Sequence, residues 1–286
     1  MPSTKRDHGP VALSGRRLTD DERSDAAARV RRDGYCVLPG FFDPELVERW
    51  RSAFAPLLAE RIRARTAAPR GPARFYVSLP FVRPWADPVV YEDPDVLAIV
   101  EMLGGDDLVM PELASDTALL GSEHQVIHRD IPLRSPQLPD LSPSEPFQFA
   151  VNWPLVDVVG DNGPFEVAPG THLWSDEEAR DRVRAGEVER MLIPLMMKAG
   201  DVMIRDVRGL HRGTPNRTDR PRPMIVVGYN RRRHLRPQLK ILVSRVMFDE
   251  LSPRARRLLD MNPIVDTPAD AMVAESYADL GFLKPY

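Results

Sequence analysis

Two histidines and one aspartate in this sequence stand where they can share a metal ion. In the run Gln125-Val126-Ile127-His128-Arg129-Asp130, the histidine and the aspartate are two residues apart. On a strand, residues i and i+2 face the same side, so His128 and Asp130 address one ion while Arg129 points the other way. Taken alone, the pair fits equally well a satisfied core histidine beside a turn-capping carboxylate. His211 supplies a third group after a short apolar strand and a turn. Two histidines and a carboxylate on one side of a metal form the facial arrangement of non-haem Fe(II) sites, which leaves positions open for a chelating cosubstrate and oxygen. Arg222 then opens the apolar run at 224–227. A buried arginine without a counter-charge is costly, and a dicarboxylic cosubstrate would satisfy it through a bidentate pair. A solvated arginine paired with Asp219 is the alternative at that position.

The elements that must position these groups are legible from periodicity and caps. Thr19 and Glu22 make a capping box that opens a helix running to Arg32, and Gly34 stops it. Residues 35–38 read as a short strand. Asp43-Pro44 restarts a helix with Asp43 as cap, whose stripe of Leu46, Val47, Trp50, Phe54, Leu57, Leu58 and Ile62 is core. A strand is expected at 75–82 and a helix at 93–103. Strand-like runs follow at 108–113, 117–120, 125–131, 147–151, 165–167, 189–194, 202–204 and 224–229, separated by turn signals such as Gly160-Asp161-Asn162-Gly163 and Pro169-Gly170. Helices are expected at 176–185 and 252–259, and Trp153 is assigned to the core. Many short strands without long intervening helices predict a barrel or jelly roll. Residues 1–16 read as a disordered tail and 17–286 as a single domain.

Composition sets limits. The 286 residues carry 39 basic and 42 acidic side chains, a net charge of −3, which argues against a nucleic-acid-binding surface. A single cysteine, Cys36, excludes an internal disulfide and a multi-cysteine zinc site. There is no long apolar run for a membrane span and no secretory signal at the start, so a cytoplasmic protein is expected. The 29 prolines disfavour long helices and favour strands joined by stiff loops.

Five ordered motifs resemble the phytanoyl-CoA dioxygenase family of Fe(II)- and 2-oxoglutarate-dependent oxygenases. They are 32–41 (Arg-Asp-Gly-Tyr-Cys-Val-Leu-Pro-Gly-Phe), Gln125-x-x-His128-x-Asp130, 162–172 (Asn-Gly-Pro-Phe-Glu-Val-Ala-Pro-Gly-Thr-His), Gly200-Asp201-Val202 leading to His211, and Arg222. The resemblance implies a mainly β fold with flanking helices, a double-stranded β-helix (jelly roll, cupin-like). It implies Fe(2+) held by His128, Asp130 and His211, and 2-oxoglutarate as cosubstrate clamped by Arg222. Gln125, Thr214 and Asn152 are further cosubstrate contacts by the same resemblance, and His172 is structural. Phe165 departs from the pattern, since relatives often carry a small or polar residue there.

The activity so implied is oxidation of a small-molecule substrate by O2, most simply hydroxylation of an unactivated C–H bond in a small metabolite or natural-product intermediate. Desaturation, epoxidation or ring formation at the same centre is the alternative, as is a cupin-like metalloenzyme that does not use 2-oxoglutarate. The carboxylate of Asp130 argues against halogenation, because related halogenases replace it with a small residue. The proline-rich segment 131–147 is placed to be a lid or a plain connection. Segments 75–85 and 231–236 are expected at the mouth, where arginines would favour an anionic or carrier-bound substrate. Monomer and homodimer both remain open.

Overall fold

Helix α1 (Asp20–Asp33) begins as its capping box requires. Thr19 Oγ1 accepts from the Glu22 amide at 3.2 Å, and the Glu22 carboxylate accepts from the Thr19 amide at 2.9 Å. Gly34, at φ +86°, ends the helix in the left-handed conformation that glycine adopts without strain, and the chain turns into β1 (Tyr35–Leu38). Helix α2 (Pro44–Arg63) has Pro44 in its first turn, but Asp43 makes no side-chain cap bond. Its apolar stripe is buried except at Ile62, which is half-buried, and Trp50 packs 5.4 Å from Trp153.

The structure is a computed structural model, and it describes residues 17–131, 145–234 and 240–272. The expected tail at 1–16 and most of the expected lid segment, 132–144, lie outside the described residues. Strands β2 (Ala68–Pro69) and β3 (Arg74–Ser78) precede helices α3 (Pro88–Tyr91) and α4 (Pro94–Gly104). Then come β4 (Leu108–Ala118), β5 (Gln148–Pro154), β6 (Phe165–Val167), α5 (Asp176–Arg184), β7 (Ile193–Leu195), β8 (Val202–Asp206), β9 (His211–Gly213) and β10 (Arg222–Arg231). A final group comprises β11 (Val243–Ser244), α6 (Arg245–Glu250), α7 (Pro253–Leu259) and β12 (Ile264–Val265).

Seven strands pair in the order β1-β8-β5-β10-β4-β3-β2, and a second sheet pairs β7-β6-β9. Every pairing within these two sheets is antiparallel, which gives the jelly roll that the strand-rich sequence predicts. Alternation along the strands divides the large sheet into two faces. Phe149, Val151 and Trp153 of β5, Ile204 of β8 and Ile225, Val227 and Tyr229 of β10 join the main core with α1, α2 and α4. Their neighbours Gln148, Ala150, Asn152, Met203, Arg205, Met224 and Val226 face the other side and line the barrel interior.

Several expectations shift in detail. The runs at 108–113 and 117–120 form one strand, because β4 is paired along β10 on one edge and β3 on the other. The run at 189–194 divides into a 3₁₀ turn (Val188–Arg190) and β7. The run at 125–131 makes no regular strand. The amides of Gln125, His128 and Asp130 donate to the carbonyls of Gly213, His211 and Val207, and those partners do not step evenly, so no ladder forms. The arginines at 231–233 are matched by acids: Arg231 and Arg233 pair with Glu145, and Arg232 with Asp107 and Asp260. Phe81 and Trp85 lie in the main core rather than at a mouth. No helix among the described residues is long and apolar enough to cross a membrane.

Candidate active site

The distal histidine lies at the start of β9, and its backbone brings the proximal one to it. The amides of His128 and His211 each donate to the other's carbonyl at 3.0 Å. Nδ1 of His128 lies 2.8 Å from the Val126 carbonyl and Nδ1 of His211 2.9 Å from the Gly209 carbonyl. A carbonyl only accepts, so each Nδ1 carries the proton and each Nε2 keeps its lone pair for a metal. Asp130 Oδ1 stands 3.5 Å from His211 Nε2 and 4.0 Å from His128 Nε2. The three ligand atoms lie within 4.8 Å of one another, the one such cluster among the described residues. Arg129 points away, as expected, although the run forms no regular strand. It ties to α5 through Asp176 at 2.9 Å and to the carbonyls of Thr171 and Trp174.

Electrostatics suit a cation. Burial, reinforced by the neighbouring His211, pushes the His128 imidazole down to about 3, so it is neutral at any ordinary pH. Burial alone would raise the Asp130 carboxyl, but Arg205 and His211 outweigh it and hold the group well below the usual carboxylate range. The donor set of two imidazole nitrogens and a carboxylate oxygen fits a divalent first-row metal with open positions.

Arg222 lines the same cavity at the start of β10. It is 1% exposed, its Nε has no hydrogen-bond partner, and no carboxylate of the described residues is within ion-pair distance. Burial pushes its guanidinium down to about 10, with Arg74 adding to the shift and Asp116 opposing it. Arg74 is engaged elsewhere, at 3.1 Å from Asp116 and 2.6 Å from the Thr214 carbonyl. A buried arginine in this state is costly, and a carboxylate would suit it as partner.

Gln125 and Asn152 also line the cavity. Gln125 Oε1 accepts from the Gly213 amide at 2.9 Å, and Asn152 Nδ2 donates to the Ile225 carbonyl at 3.2 Å. Thr214 is not brought to the cavity: its hydroxyl donates to the Pro164 carbonyl at 2.7 Å. His172 lies apart, its Nε2 3.1 Å from the Arg31 carbonyl and its ring against Gly34, which joins two of the sequence motifs structurally. The Phe165 ring packs 4.8 Å from that of His211.

Sequence reasoning missed Arg205, Arg70, Glu112, Asp116 and Gln148, which line the cavity, while Tyr76 lines it from within the expected 75–85 segment. For Arg205 a signal was present, because an arginine in the apolar strand Val202–Asp206 raises the same question as Arg222.

The sequence model of the phytanoyl-CoA dioxygenase (PhyH) family matches residues 30–224. The chain belongs to this family. Dioxygenase af480 of Aspergillus fumigatus is 26% identical over 185 residues, 63% of this chain, and the chain spans about half (56%) of that relative's length. Among solved structures, the non-heme alpha ketoglutarate dependent epimerase SnoN from nogalamycin biosynthesis is similar at TM-score 0.56 and 23% identity, over 74% of this chain and 82% of that one. HygX from Streptomyces hygroscopicus, crystallised with nickel and 2-oxoglutarate, is similar at TM-score 0.57 and 21% identity, over 76% and 88%. At these identities the likeness is one of fold.

Proposed function

We propose that this family member hydroxylates an unactivated C–H bond of a small metabolite or natural-product intermediate. His128, Asp130 and His211 are the iron ligands, and Arg222 anchors the distal carboxylate of 2-oxoglutarate beside Gln125. The observation that carries this reading is the buried Arg222 without a counter-ion in the cavity that also holds the His–Asp–His cluster. A metalloenzyme that did not use a dicarboxylate would have no use for that arginine.

Iron with 2-oxoglutarate supplies the oxidation of a C–H bond by O2, with succinate and carbon dioxide as co-products. The chain supplies placement. Its two Nδ1 donors keep both imidazoles aimed inward, Asp130 contributes an anionic oxygen, and Arg222 fixes the far end of the cosubstrate. The retained carboxylate at 130 favours oxygen transfer over halogenation. Arg70, Arg205 and Arg222 face Glu112, Asp116 and Asp130 around the cavity, and a divalent cation plus a dianionic cosubstrate leaves that balance unchanged. This supports a substrate whose reacting end is uncharged, in place of the anionic group expected from the basic run.

The test is anaerobic absorption spectroscopy. Fe(II) with 2-oxoglutarate should produce a weak visible charge-transfer band, and O2 with a panel of candidate metabolites should then give succinate in step with product. Absence of the band in the wild-type protein overturns the reading.

A further inference from the structure

We infer that Arg205 is the positioning residue that makes Asp130 a one-oxygen metal ligand; the inference rests on the assignment of His128, Asp130 and His211 as ligands. The two oxygens of Asp130 face different neighbours. Oδ1 faces the two Nε2 atoms, at 3.5 and 4.0 Å. Oδ2 lies 2.7 Å from Arg205 Nη2. A metal that takes both imidazoles and Oδ1 finds Oδ2 already bound to a cation. A carboxylate free to rotate would be able to give both oxygens to the metal and close one of the positions that cosubstrate and oxygen require.

Arg205 is itself held on two further sides. Its Nε donates to Asn152 Oδ1 at 3.2 Å, and Asn152 is oriented by its bond to the Ile225 carbonyl. The Phe165 ring covers the guanidinium, with Cζ 5.2 Å from the ring centre. The same ring packs against His211, so one aromatic side chain steadies both a ligating imidazole and the brace on the ligating carboxylate. That gives a reason for a bulky residue at 165, and it turns Asn152 from a cosubstrate contact into a support for Arg205. The interaction needs the planar fork of arginine, which lysine does not reproduce.

Mn(II) alone is the probe. Its affinity is read from the electron paramagnetic resonance of free Mn(II), and its inner-sphere waters from water-proton relaxation, for wild type, Arg205→Met, Arg205→Lys and Phe165→Leu. We expect three exchangeable waters in the wild type, the positions a facial triad leaves open. Arg205→Met should show one water fewer and about 10–100-fold weaker binding, with Arg205→Lys and Phe165→Leu changing in the same direction. Wild-type affinity and water count in Arg205→Met would overturn the inference. If that variant does not fold, a wild type with only two waters, or a Phe165→Leu protein identical to wild type, overturns it instead. Wild-type protein that binds no Mn(II), or binding that survives His211→Ala, strikes the ligand set itself rather than Arg205.

Discussion

His128 and His211 exchange two backbone hydrogen bonds of 3.0 Å each, and their rings lie 4.4 Å apart. The pair is thus held together by the main chain. A two-bond bridge fixes both Cα positions, and the Nδ1 bonds fix both rings.

Replacing Arg222 separates stability from cosubstrate binding. In the absence of ligand, Arg222→Leu should be as stable as the wild type or more so, because it removes a buried cation without a counter-charge. With 2-oxoglutarate the order reverses: ligand should raise the melting temperature of the wild type and not that of the variant. Losing a charged pair worth roughly 1.5–3 kcal/mol should raise the 2-oxoglutarate KM by about 10–100-fold. Thermal melts with and without the cosubstrate, together with KM, check both parts.

Gly213 admits no side chain. A Cβ there would stand 2.6 Å from Arg74 Cζ and 2.7 Å from Gln125 Oε1, and Arg74 is pinned by Asp116 and the Thr214 carbonyl. Gly213→Ala should cost about 1–3 kcal/mol, the usual range for overpacking, and should weaken 2-oxoglutarate binding by displacing Gln125 from the cavity wall. Urea unfolding and a cosubstrate titration test the two effects.

His172 should make the fold acid-sensitive. Its Nε2 bonds the Arg31 carbonyl while its Nδ1 is buried without a partner, and burial lowers its pKa from the ordinary 6.5. In the unfolded chain it takes up a proton as pH falls through 6.5, and in the folded protein it does so only at lower pH. Its contribution to stability is therefore full above about pH 6.5 and declines as pH falls below that value. Urea midpoints measured from pH 8 to pH 5 should drop in the wild type and drop less steeply in His172→Phe.

The parts of this account that were legible in the sequence are those set by local chemistry. The Thr19–Glu22 box and the Gly34 stop depend on neighbours a few residues away. The ligand set was legible because His128 and Asp130 are separated by one residue and because Arg222 is out of place in an apolar strand. What escaped depends on lateral pairing. That Glu112 faces the cavity follows from its register opposite Gly228, and that Arg205 reaches Asp130 follows from the Asp130 amide bonding the Val207 carbonyl just past β8. Neither is encoded within a single segment. The irregular 125–131 run escaped for the same reason, since its partners lie on a distant stretch that does not run in step with it.

Anomalous diffraction at the iron edge, from crystals grown anaerobically with Fe(II) and 2-oxoglutarate, tests the central claim most directly. The account predicts one strong peak bonded to His128 Nε2, His211 Nε2 and Asp130 Oδ1, with a cosubstrate carboxylate on Arg222. A peak bonded to any other set of side chains, or a cosubstrate that leaves Arg222 without a contact, would contradict it.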